Sequence, residues 1–133
     1  MTLTYGTMAE IYNEAHRAGL QAGNAKVPVP MLVGQETSLF SGKLDTTKPV
    51  EVVAGGLCGF SSVQLKPGNS RFANFLKKKG LARKDSYHGG VRIWVGEFGQ
   101  SYEKKVAYAH AFRNVLEVAL GEKYNVWVDA RLD

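Results

Sequence analysis

Residues 89–133 read GGVRIWVGEFGQSYEKKVAYAHAFRNVLEVALGEKYNVWVDARLD, and they predict a strand, a long helix and a second strand. Apolar residues alternate along the first strand, Val91–Val95, after a pair of turn glycines. Ser101 is a typical N-cap, and Gly121 is a typical stop, for a helix over Tyr102–Leu120. Because this helix is long enough to span back along a sheet, the two strands suit a right-handed parallel crossover.

Two more helices are predicted upstream. Thr7 and Glu10 have the spacing of a capping box, which indicates a helix over Met8–Ala22. Asn69-Ser70 supplies an N-cap for a short helix, Arg71–Lys79, which has an apolar stripe and is followed by a glycine.

Strands are predicted between these helices and at the end of the chain. Val50–Ala54 and Leu57–Leu65 flank Gly55-Gly56, which is a typical hairpin turn. Val27–Val33 contains two prolines, which favour an edge strand or an extended segment. A last strand is expected over Tyr124–Asp129.

The expected fold class is therefore α+β, with one domain over residues 1–133. We expect a single mixed sheet of four or five strands and three helices, in the order α-β-β(-β)-α-β-α-β. Residues 34–48 are polar and predict a long loop.

The composition limits the class of protein. Cys58 is the single cysteine of 133 residues, so no internal disulfide can form and a reducing compartment is expected. No apolar run approaches the roughly 20 residues of a membrane helix, and no secretory signal is visible. We expect a cytoplasmic protein with no membrane partner.

The positive charge is concentrated in one segment. The formal net charge is +5, from 17 Lys and Arg against 12 Asp and Glu. The cations between residues 66 and 84, where no acid occurs, are Lys66, Arg71, Lys77, Lys78, Lys79, Arg83 and Lys84. Such a block repels itself, which favours an anionic partner: nucleic acid, a nucleotide-like small molecule or an acidic protein surface. The alternative is a solvated face without a partner.

Two features suggest where an anion would bind. The predicted helix after Asn69-Ser70 offers free amides, and the alternative there is a plain N-cap. Strand alternation places Arg92 and Trp94 on one face of their strand, and Trp127, Asp129 and Arg131 on one face of the last strand. If both strands share a sheet, bases can stack on the tryptophans and phosphates can pair with the arginines. The alternative is that the tryptophans pack under a helix while the arginines extend into solvent.

The candidate ligand-binding residues are Asn69, Arg71, Lys77, Lys78, Arg83, Lys84, Arg92, Trp94, Trp127 and Arg131. We expect no cofactor and no metal, because His16, His88 and His110 lack ligand spacing with one another or with the cysteine. No spacing indicates a catalytic group, so we expect a protein that is not an enzyme.

Five stretches between about Leu57 and Asp133 carry a resemblance: CGF at Cys58–Phe60, KPGNSRFANFLKKKGLARK at Lys66–Lys84, GGVRIW at Gly89–Trp94, GQSYEKKVAYA at Gly99–Ala109 and RLD at Arg131–Asp133. In these stretches the chain resembles small uncharacterised proteins of tailed bacteriophages. Its length, its α/β mixture and its cations and aromatics are also similar to those of the first Thoeris anti-defence family. That family sequesters cyclic-nucleotide immune signals as an oligomeric sponge. The resemblance implies a phage protein that acts in the host cytoplasm, as a homo-oligomer.

Three functions stay open from the sequence. The first is non-catalytic sequestration of a small anionic nucleotide ligand that serves as an immune signal. The second is nucleic-acid binding by a basic face, and the third is inhibition of a host defence protein in an anti-CRISPR-like manner. The first is slightly favoured, because the net charge is modest and cations gather beside a helix start.

Overall fold

A computed structural model describes residues 3–33, 51–53 and 56–133. The elements in chain order are α1 (Tyr5–Ala25), β1 (Met31–Val33), β2 (Glu51–Val53), β3 (Gly59–Lys66), α2 (Arg71–Lys78), β4 (Arg83–Lys84), β5 (Val91–Trp94), α3 (Tyr102–Leu120) and β6 (Asn125–Leu132). The predicted α+β class and the three helices are confirmed. None of the described helices combines the length and the apolar character that crossing a membrane requires.

Four strands form the main sheet, in the order β4-β5-β3-β6, and every neighbouring pair is antiparallel. Strands β5 and β6 are both antiparallel to β3, so they run parallel to each other on either side of it. The predicted β-α-β unit is therefore present, with α3 as its connection and β3 inserted between its strands. From β3 onward the element order β-α-β-β-α-β is that of the split βαβ motif.

The pairing of the strands corrects two predictions. The main sheet of four strands is antiparallel, not mixed, and β1 and β2 form a separate antiparallel pair. The hairpin around Gly55-Gly56 is wrong, since β2 pairs with β1 rather than with β3. Strand β3 has β5 on one edge and β6 on the other, so it has no free edge for β2. The predicted 34–48 loop and Gly55 lie outside the described residues.

The helix termini depend on local capping. The first helix begins one turn earlier than predicted, because Oγ1 of Thr4 accepts from the amide of Thr7 at 3.1 Å. Thr7 therefore lies inside the helix, and the predicted capping box is wrong. Ser70 caps α2 and Ser101 caps α3, as the sequence predicts.

One core joins the three helices to a single face of the sheet. Val63 and Leu65 of β3 pack in the same buried cluster as Phe72 of α2 and Phe112 of α3, and α1 adds Ala15. Alternation along the strands then turns the neighbouring side chains to the opposite face. No described helix contributes to the core from that side, so the opposite face carries the exposed polar and aromatic groups.

Candidate functional site

The sheet face opposite the helices is called the open face here. Its side chains come from the three strands β3, β5 and β6 and include Phe60, Ser62, Gln64, Lys66, Arg92, Trp94, Trp127, Asp129 and Arg131. Register sets them in rows, because Gln64 lies between Arg92 and Trp127, and Ser62 lies between Trp94 and Asp129. The two predicted strand faces thus meet on one surface, as the sequence predicts if both strands share a sheet.

A groove of about 330 Å³ crosses the open face around Arg92. Its walls include Phe60, Tyr87, His88, Trp94, Asp129 and Arg131. The loop that joins β4 to β5 supplies Tyr87 and His88, so the groove lies between this loop and the last strand.

Arg92 is the centre of a polar network beneath the groove. Its Nη2 and Nε donate to Oδ2 of Asp85, at 3.0 and 3.3 Å. Its Nη1 donates to Oγ of Ser62 and to Oδ2 of Asp129, both at 2.9 Å. The side chain is 14% exposed, and all three guanidinium nitrogens are engaged. Arg92 therefore holds the site together instead of offering a free fork to a phosphate.

Asp85 anchors the other end of this network. Oδ1 accepts from the amides of Tyr87 and His88, while Oδ2 also accepts from Nε2 of Gln64 at 2.7 Å. Burial by itself would raise the pKa of the Asp85 carboxyl. The hydrogen bonds from the His88 amide, the Arg92 guanidinium, the Tyr87 amide and the His88 ring outweigh it, and they hold this pKa well below its usual range.

Aromatic rings on the open face are accessible. Trp94 is 50% exposed and Phe60 is 38% exposed, and Tyr87 at the edge of the groove is almost fully exposed. The guanidinium of Arg92 lies 4.8 Å from the centroid of the Trp94 ring, and Nζ of Lys66 lies 5.7 Å from that of Trp127. The tryptophans do not belong to the core cluster, so the structure does not favour the alternative that they pack under a helix.

The structure brings together only part of the predicted binding set. Arg92, Trp94 and Arg131 line the groove, and Trp127 lies one row away on the same face. Arg83 pairs in register with Arg92, which puts it at the β4 edge of this face. Within the described residues Arg131 makes no ion pair; its guanidinium lies 5.7 Å from the Phe60 ring.

The remaining cations do not converge. Arg71 lies in a separate groove with Lys123 and Tyr124, and Nζ of Lys77 donates to the Gly68 carbonyl at 2.9 Å. Lys78 and Lys84 are exposed, and Lys79 lies over the Tyr5 ring. The basic segment is therefore spread over several surfaces.

The start of α2 has internal partners. The carbonyl of Asn69 accepts from the Asn74 side chain. The Phe72 amide donates to the Tyr124 hydroxyl. Ser70 accepts from the next two amides, through its hydroxyl from Ala73 and through its carbonyl from Asn74. The geometry therefore favours the plain N-cap that the sequence left as an alternative.

Sequence reasoning missed Phe60, Asp85, Tyr87 and His88 as members of the site. Phe60 carried a usable signal, because it alternates with Ser62 and Gln64 on one face of its strand. The three loop residues carried none, since the contacts of Asp85 form only when β4 pairs with β5.

Among the described residues no group of three or more His, Cys, Asp or Glu side chains is placed to hold a metal ion. Comparison with protein-family models, curated protein sequences and solved structures found no match to this chain. The phage resemblance and the similarity to the Thoeris anti-defence family therefore stay predictions, and the function has to be argued from the open face.

Proposed function

We propose that this protein binds single-stranded nucleic acid on the open face, without catalysis. The observation that carries the proposal is the placement of Phe60, Trp94 and Trp127 on three adjacent strands of one sheet face, opposite the face that packs in the core. Each ring can stack with an unpaired base, and such stacking contributes roughly 1–3 kcal/mol per base. Aromatic rings on the strands of a four-stranded sheet are a known way to bind single-stranded RNA.

Cations at the rim of the face supply phosphate contacts. Arg131 is exposed at the end of β6, and Arg83 lies on the edge strand β4. Lys66 alternates with Gln64 and so belongs to the same face, beside Trp127. These three cations surround the aromatic rings, whereas Arg92 in the centre is neutralised by Asp85 and Asp129. A chain whose bases lie over the centre would place its phosphates near the rim.

The structure favours a nucleic-acid strand as the ligand over a small nucleotide, which the sequence slightly favoured. A small anion is best held where several cations converge in a concave pocket, and the cations of the 66–84 segment are dispersed instead. The stacking rings are also spread across β3, β5 and β6, which suits several bases in a row. The roles in phage counter-defence, in sequestering an immune signal and in inhibiting a host defence protein stay predictions, as does the homo-oligomer.

The test is a fluorescence-anisotropy titration at about 50 mM salt, where phosphate contacts are strong. Labelled single-stranded RNA and DNA of about nine nucleotides should bind, and duplex DNA should bind more weakly. Trp94→Ala and Trp127→Ala should each weaken binding about tenfold. Tyr5→Ala removes an exposed aromatic ring outside the open face and should leave binding unchanged.

Two results would contradict the proposal. One is the absence of binding to any single strand at low salt. The other is unchanged affinity in both tryptophan variants. A parallel thermal-shift panel of mononucleotides and cyclic nucleotides distinguishes the alternative, because a ligand that binds the folded state tightly must raise the melting temperature. Stabilisation by a cyclic nucleotide without oligonucleotide binding would favour the small-ligand function.

A further inference from the structure

We infer that Asp129 makes the open face selective for guanine. This inference rests on the proposed nucleic-acid binding and adds the base that the groove accepts. It depends on one carboxylate, its single internal partner, and its position relative to the stacking ring of Trp94.

The carboxylate of Asp129 is oriented and still available. Its Oδ2 accepts from Nη1 of Arg92 at 2.9 Å, which holds the group in place. Its Oδ1 has no hydrogen-bond partner among the described residues, and the side chain is 44% exposed at the groove. Asp85, the other carboxylate of the network, is 8% exposed and has both oxygens occupied. Asp129 is thus the acid that a ligand can reach.

Trp94 and Asp129 are placed to hold one base between them. Both pair in register with Ser62, which is small and fully buried, so they belong to the same row on either side of it. Their Cα atoms are therefore about 10 Å apart, which is two strand spacings. The Arg92 guanidinium covers one face of the Trp94 ring, 4.8 Å from its centroid. A base stacked on the other face would lie in the groove and direct an edge toward the Asp129 carboxylate.

The chemistry of a carboxylate selects among the bases. The Watson–Crick edge of guanine carries two adjacent donors, N1–H and the N2 amino group, which match the two oxygens of a carboxylate. Oδ2 keeps a lone pair for this contact after it accepts from Arg92. Adenine and cytosine present one amino group next to an acceptor nitrogen, and uracil presents one N–H between two carbonyls, so each places an acceptor near the negative charge.

Arg92 cannot take over the recognition of the base. Arginine commonly reads guanine through O6 and N7, but this requires free guanidinium donors. Every nitrogen of Arg92 already donates to Asp85, Ser62 or Asp129. The role of Arg92 is to position the Asp129 carboxylate.

The test is an anisotropy titration of uracil oligonucleotides of about nine residues in which one central base is varied. An oligonucleotide with a central guanine should bind about tenfold more tightly than one with adenine, cytosine or uracil, as a bidentate contact predicts. Inosine lacks the N2 amino group, so replacing that guanine with inosine should remove most of the preference in the unmodified protein. Asp129→Asn should also remove it, because an amide offers one acceptor instead of two.

The control variant is Glu122→Gln, which makes the same charge change at an exposed position outside the groove and should keep the guanine preference. Equal binding of all four central bases, or of guanine and inosine, would overturn the inference and leave nucleic-acid binding intact. Failure to bind any oligonucleotide would overturn the proposed function as well. Because the inosine comparison uses the unmodified protein, it decides the question even if Asp129→Asn folds poorly.

Discussion

Arg92 on β5 reaches across β3 to Asp129 on β6, and its Nη1 donates to Oδ2 of that carboxylate at 2.9 Å. The same guanidinium contacts Asp85 in the loop before β5. One side chain thereby ties its own strand and the loop before it to β6, whose Asp129 is 37 residues away in sequence. The groove of the open face is built around this contact. A substitution that breaks the contact should therefore change both the stability of the fold and the shape of the groove.

Arg92→Lys should lower the melting temperature. An ammonium group carries its three donors on a single nitrogen, so it cannot span the positions of Asp85, Asp129 and Ser62 that the three guanidinium nitrogens reach. The measurement is thermal unfolding followed by circular dichroism. Arg17→Lys is the matched control, because Arg17 is 75% exposed, and it should not change the transition. Equal melting temperatures for the two variants would show that the network contributes little to stability.

Asp85→Asn should remove part of the acid sensitivity of the fold. The pKa of Asp85 is lowered in the folded state, so the unfolded state binds its proton more readily. The stability from this group is therefore fully present above the ordinary carboxyl pKa of about 4 and is lost as the pH falls below it. Urea unfolding at a series of pH values should show the largest difference between the wild type and the variant near neutrality.

The difference in the free energy of unfolding between the wild type and Asp85→Asn should shrink as the pH falls below about 4. Glu122→Gln, at an exposed position, provides the control for the loss of one negative charge. If the free energies of unfolding of the wild type and Asp85→Asn differ by the same amount throughout the acid range, the Asp85 pKa is not lowered in the folded state.

Gly19→Ala should destabilise the protein by about 1–3 kcal/mol, the usual cost of excess volume in a packed core. A Cβ at this position would lie 2.6 Å from Cδ2 of Tyr108, whose hydroxyl contacts Nδ1 of His16 at 2.6 Å. Gly6→Ala, in the same helix, meets nothing within 4 Å and should stabilise the protein by about 0.5 kcal/mol. Urea unfolding measures both, and effects of the same sign would argue against close α1–α3 contact at Gly19.

Phe112→Ala should lower the free energy of unfolding by about 3–5 kcal/mol. This ring of α3 is fully buried, and its removal leaves a cavity beside the rings of Tyr12 and Tyr108. Val118→Ala in the same helix changes a side chain that is 88% exposed, and it should stay within about 0.5 kcal/mol of the wild type. Chemical denaturation provides the comparison, and a loss below about 1 kcal/mol for Phe112→Ala would place the ring outside the core.

Features that depend on near neighbours in the sequence were predictable. Ser70 and Ser101 cap their helices because the hydroxyl and the amide that it accepts from are three residues apart. The alternation of apolar and polar residues placed Arg92 and Trp94 on one face of β5, and Trp127 with Asp129 on one face of β6. The α+β class and the chemical character of the open face therefore follow from the sequence.

The partners of each strand were decided only by the tertiary structure. A glycine pair favours a hairpin locally, yet β3 gains more by lying between β5 and β6, where both of its edges are hydrogen-bonded and its apolar side chains join the core. That choice brings Asp85, Arg92 and Asp129 into contact. It also disperses the cations of the 66–84 segment. Long-range pairing depends on which surfaces bury together, and no short stretch of sequence contains that information.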